Sequence, residues 1–90
     1  MTAGRCKRIE VLLQDKLSPT SVLVKDQSHL HVGHPGAREG KGHFDVHIVS
    51  EAFAGKSRIE RHRLVFDAVD EMMKSDIHAL KIRATTPGET

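Results

Sequence analysis

The hydrophobic period of this chain changes along its length, and that change restricts the fold more than any other feature. Cys6, Ile9, Leu12, Leu13 and Leu17 recur at helical spacing, with Arg8, Gln14, Asp15 and Lys16 elsewhere, which predicts an amphipathic helix over residues 3–17. Ser18-Pro19 stops it, because a residue before proline is driven out of the helical region. The period then falls to two. Ser21-Val22-Leu23-Val24-Lys25-Asp26 is short and β-branched, and Phe44, Val46 and Ile48 alternate with Asp45, His47 and Val49, so both segments read as strands. Residues 27–42 between them hold four Gly, one Pro and three His, which is loop chemistry longer than a hairpin needs.

After Ser50, Glu51-Ala52-Phe53-Ala54-Gly55 reads as a turn, and Ser57-Arg58-Ile59-Glu60 has the spacing of a capping box. The helix it opens is expected to run to about Ser75. Its apolar stripe is read as Val65, Phe66, Val69, Met72 and Met73, extended backwards by His62 and Ile59, with the methionines as core filler. On this reading Phe66→Ala costs about 3–5 kcal/mol. A third strand follows, opening with Ile77 and His78, in which Leu80, Ile82 and Ala84 alternate with Ala79, Lys81 and Arg83. Residues 85–90 are expected to fray as a flexible tail. The order αββαβ implies an antiparallel first pair of strands, a parallel crossover pair, and both helices on one face: an α+β fold with a mixed three-stranded sheet.

Composition narrows the function. The 90 residues have room for one core, so a single domain over 1–90 is expected. Phe44, Phe53 and Phe66 are the only aromatic residues, which disfavours base-stacking nucleic-acid modules. Fourteen Lys and Arg against twelve Asp and Glu form too small an excess to imply a polyanionic partner. Seven His make the charge responsive to mild acid. Cys6 is the sole cysteine, so an intramolecular disulfide or a multi-cysteine metal site within one chain is excluded. It lies on the core stripe of the first helix and reads as a small buried hydrophobe. No apolar run approaches the ~20 residues of a spanning helix, and the first residues lack a secretory signal, so a soluble, reducing, cytoplasmic setting without membrane is expected.

No nucleophile, base and orienting acid stand at a recognisable spacing, and the glycines of the long loop do not form a P-loop, so enzymatic activity is not expected. The basic run Lys56, Arg58, Arg61 and Arg63 sits where a helix N-terminus favours phosphate, yet Glu60, Asp67, Asp70 and Glu71 follow directly. A nucleic-acid footprint and a solvated basic face that joins a protein interface both remain open.

The segments Asp26-Gln27-Ser28-His29-Leu30-His31, Gly42-His43-Phe44, Val49-Ser50, Phe53-Ala54-Gly55-Lys56, Arg61-His62-Arg63-Leu64-Val65 and Ile77-His78-Ala79-Leu80 together resemble the BolA family, in order, over roughly residues 5–87. The resemblance implies a fold similar to the class II KH domain, although the G-x-x-G loop of KH domains is replaced by Gly55-Lys56-Ser57-Arg58. It implies an adaptor that pairs with a monothiol glutaredoxin to bind or relay a shared 2Fe-2S cluster, held also by glutathione, in iron-sulfur maturation or iron sensing. It implies, as the alternative, a DNA-binding transcriptional regulator using the basic second helix. The chain alone is expected to be a monomer or weak dimer. By the same resemblance, His78 corresponds to the family's C-terminal metal ligand and His31 to its loop ligand, with His34 and His43 able to stand in. Imidazole is a sound iron ligand, and a chain without a thiolate pair must borrow sulfur from a partner. The residues alone leave a second reading of His78, which has the strand parity of Leu80 and Ile82 and can be a half-buried histidine satisfied by backbone groups. His62 is read as structural, and His29 and His47 as solvated or strand-surface residues.

Overall fold

The computed structural model describes residues 2–27 and 42–89. Helix α1 (Thr2–Leu17) buries Ile9, Leu13 and Leu17, one residue per turn on one side. Ser18 ends it with a φ of +43°, the left-handed conformation that lets its N–H reach the carbonyl of Gln14, and Pro19 prevents continuation. Strand β1 (Ser21–Asp26) pairs antiparallel with β2 (Gly42–Val49), Val24 opposite Val46. Ser50, buried at the end of β2, donates its hydroxyl to the carbonyl of Leu17 at 2.7 Å and accepts the N–H of Ala52 at 3.1 Å, so α1 and the sheet are joined through one satisfied side chain.

Helix α2 (Arg58–Ala68) opens with the expected capping box. The Ser57 N–H donates to the Glu60 carboxylate at 2.8 Å, and the Glu60 N–H donates back to the Ser57 hydroxyl. The helix does not run unbroken to Ser75. Val69 leaves helical geometry at φ −110° and ψ 19°, and a single turn, α3 (Asp70–Met73), follows before strand β3 (Ile77–Thr85). The strand order is β1-β2-β3, with β2 and β3 parallel. The mixed α+β architecture read from the sequence is the one observed.

Phe44, Val46 and Ile48 of β2 pack with Ile9, Leu13, Val65, Ala68, Val69 and Met72, so the helices cover one face of the sheet. Three core assignments change. Phe66 is 36% and Ile59 66% exposed, whereas Phe53 is fully buried. One helix residue turns ~100°, so a stripe centred on Val65 and continued by Ala68, Val69 and Met72 carries Phe66 off the core side. Phe53, read as part of a turn, sits in a 3-10 helix, Glu51–Phe53, that inserts it into the core. Gly55, at φ +73°, then makes the left-handed bend that leads to α2. The C-terminal end differs as well: Thr85 belongs to β3, and Pro87–Glu89 form a 3-10 turn.

Candidate functional site

Because β2 and β3 run parallel, Gly42 and Ile77 begin at the same end of the sheet. The Gly42 N–H donates to the carbonyl of Asp76 at 2.9 Å, and the Gln27 N–H donates to that of His43 at 2.7 Å. Arg8 of α1 pairs with Asp76, tying the helix to the same end. The ladder is irregular here. Gly42 pairs with Ile77 and His43 with Ala79, so His78 is an extra residue in β3. A bulge of this kind reverses the side to which following residues point. Ile77 is therefore buried at 1%, Leu80, Ile82 and Ala84 still pack on the core, and His78 is exposed. The reading of His78 as a half-buried strand residue fails for this reason.

His43 is half-buried beside it, with ring centroids 5.1 Å apart and planes at 53°. His31 and His34, like His29, lie outside the described residues. Cys6 is half-buried against the core, and burial first, then the charges of Asp26 and Glu10, push its thiol up from its ordinary value, keeping it protonated. At this end the described imidazole donors are His43 and His78, and the carboxylate of Asp76 is engaged by Arg8. Among the described residues no group of three His, Cys, Asp or Glu converges as a complete metal site, so a metal held here needs ligands from elsewhere.

Other histidines are placed differently. His62 is half-buried in α2, and His47 lies on the sheet face away from the helices, its Nε2 buried with no hydrogen-bond partner among the described residues. The four basic residues at the start of α2 separate into two kinds. Lys56, Arg58 and Arg63 are exposed. The Arg61 side chain is only 14% exposed: it donates through Nε to the carbonyl of Lys56, through Nη1 to that of Ala84, and through Nη1 and Nη2 to both carboxylate oxygens of Glu89, at 2.6 and 2.9 Å. This fork holds the Glu89 carboxyl down to about 2. Sequence reasoning missed this clasp, whose partners stand 28 residues apart, and it missed the bulge.

Comparison with known proteins bears on the whole chain. The family model described as BolA-like protein matches residues 13–89. SufE-like protein 1, chloroplastic/mitochondrial, of Arabidopsis thaliana is 43% identical over 96% of this chain and 24% of its own length. Protein BOLA1, chloroplastic, of the same plant is 37% identical over 97% of this chain and 56% of its own. The chain therefore spans about a quarter and about half of these two relatives. The solved BolA domain of SufE1 from Arabidopsis thaliana superposes with a TM-score of 0.85 at 44% identity, covering 96% of this chain and 95% of that one. Among the described residues, no helix is long and apolar enough to cross a membrane. A family model running from the first helix to the C-terminal turn, and a superposition this close, lead to one conclusion: the chain belongs to the BolA family.

Proposed function

We propose that this protein is a non-enzymatic adaptor that pairs with a monothiol glutaredoxin and supplies nitrogen ligands to a 2Fe-2S cluster the two proteins share with glutathione. The observation that carries this reading is the bulge that turns His78 out of the sheet beside His43. His78 is the first ligand and His31 the second, with His34 and His43 as substitutes. The donor set suits a shared cluster, since imidazole can replace thiolate on iron and this chain's only thiol is held protonated. Bound there, the group would supply reversible one-electron chemistry and transferable iron and sulfide. The chain's own part is to present His78 in a fixed orientation, which the flanking ladder and the buried Ile77 provide. The name of the SufE-like relative is in keeping with an iron-sulfur role. The compartment is one that holds glutathione and glutaredoxin: the cytoplasm is the expectation from the sequence, while the names of these two relatives are organellar, chloroplastic/mitochondrial and chloroplastic.

Mixing the chain with glutathione-loaded monothiol glutaredoxin under cluster-assembly conditions tests the reading through visible absorption and circular dichroism. A spectrum distinct from that of glutaredoxin alone is expected, and it should fade in mild acid as imidazole is protonated. An unchanged glutaredoxin spectrum would refute the pairing.

The second reading, a DNA-binding regulator, is supported by the exposure of Lys56, Arg58 and Arg63, with Arg61 already engaged by Glu89. Neutralising the basic residues together should lower the salt dependence of DNA binding by about one logarithmic unit for each phosphate that is no longer neutralised.

A further inference from the structure

On the sheet face away from the helices, the strand register sets side chains in rows. Lys25, Asp45 and Lys81 form one row, and Leu23, His47 and Arg83 the next. With Lys56 and Arg58, these line a groove of about 930 Å³. Lys25, Lys56, Arg58, Lys81 and Arg83 are all exposed, and among the described residues none of them forms an ion pair. Arg61 and Glu89 also reach the groove but neutralise each other. Among the described residues, five cations without an ion pair thus line the groove around Asp45, with Glu60 giving Lys56 only a longer-range attraction. Packing such charges together opposes folding rather than aiding it, so their placement points to a ligand.

The other residues of the groove decide which ligand. Its only ring side chains are the imidazoles of His47 and His62, smaller stacking surfaces than the phenylalanine, tyrosine or tryptophan of base-binding platforms. Asp45, central in its row, repels a phosphate chain where its neighbours attract one. Leu23, 52% exposed, offers an apolar contact that a sugar-phosphate backbone does not use. An extended polypeptide matches all three features. Its same-side side chains repeat every ~6.8 Å, the interval separating Lys81 from Arg83 along β3. Its carboxylates meet the cations, its backbone amides meet Asp45, and an apolar residue covers Leu23.

We propose that this groove docks an acidic, extended segment of a partner protein bearing an apolar residue. Neither His78 nor iron enters the proposal, so it stands or falls apart from the cluster reading.

The test uses a fluorescent synthetic peptide of alternating glutamate and serine with one leucine, a matched peptide with lysine for glutamate, and a DNA duplex. Anisotropy should show binding of the acidic peptide alone, weakened at least about tenfold by Lys81→Glu with Arg83→Glu, and weakened in steps by Lys25→Gln, which perturbs the sheet less. Replacing the peptide's leucine by serine should also weaken it, and amide shifts should map to Leu23, Asp45, His47 and Arg83. Equal binding of the acidic and lysine peptides would overturn the proposal, as would undiminished binding to either folded variant. Tighter binding of the duplex with the same shift map would overturn the choice of a protein segment.

Discussion

Truncating the two phenylalanines Phe53 and Phe66 separates the observed core from the one suggested by periodicity. Phe53 has no exposed surface and is enclosed by the core formed by the sheet and helices, whereas Phe66 is 36% exposed on α2. Removing a fully buried phenylalanine ring costs about 3–5 kcal/mol, the forfeited transfer energy plus that of the cavity left behind. A domain of this size has a total stability of roughly 5–14 kcal/mol, so Phe53→Ala takes a large share of it. With a urea slope of about 1.5 kcal/mol/M, the unfolding midpoint should fall by about 2–3 M. Phe66→Ala leaves no closed cavity and should cost under about 1 kcal/mol, a midpoint shift below ~0.7 M. The assay is urea unfolding followed by far-ultraviolet circular dichroism, with the slope compared among the three proteins. Equal shifts, or a larger one for Phe66→Ala at an unchanged slope, would refute this packing.

Two further perturbations address single interactions. The Glu89 carboxyl, lowered from about 4.5 to about 2 by Arg61 and the Thr86 N–H, stabilises the fold above its unfolded value and loses that contribution as the pH falls through about 2. Glu89→Gln should therefore be less stable than the native chain at neutral pH, and the gap should close between pH 4.5 and 2 in acid unfolding curves; a gap constant with pH would contradict the clasp. His47→Leu removes a buried nitrogen without a hydrogen-bond partner among the described residues and should leave the thermal midpoint unchanged or raised, whereas a loss above about 1 kcal/mol would show that the nitrogen is satisfied.

What could be read from the sequence is what local periodicity and local chemistry dictate. Ile9, Leu13 and Leu17 repeat one face of a helix, Phe44, Val46 and Ile48 one face of a strand, and Ser57 and Glu60 satisfy each other within one turn. Phe66 misled because it adjoins Val65, and periodicity alone does not say which of two neighbouring apolar residues centres the stripe. Phe53 was obscure because a 3-10 turn has no hydrophobic repeat of its own. The clasp of Arg61 and Glu89 depends on tertiary approach and left no local trace. The bulge did leave one: Ile77 and Leu80 are both core-facing yet three apart, which a regular strand cannot accommodate. The extra residue that resolves this conflict is His78, so the position where strand periodicity failed is the one proposed to bind metal. The second proposed ligand, His31, lies outside the described residues, and its assignment rests on the resemblance alone.

Pulsed electron paramagnetic resonance on the reduced mixed complex, with histidine isotopically labelled only in this chain, tests the central claim most directly. Labelled-nitrogen couplings to the cluster are expected in the native complex, and His78→Ala should abolish one of them or the mixed cluster itself while the apo-protein remains folded. The same couplings in the folded His78→Ala variant, or none in the native complex, would contradict the assignment.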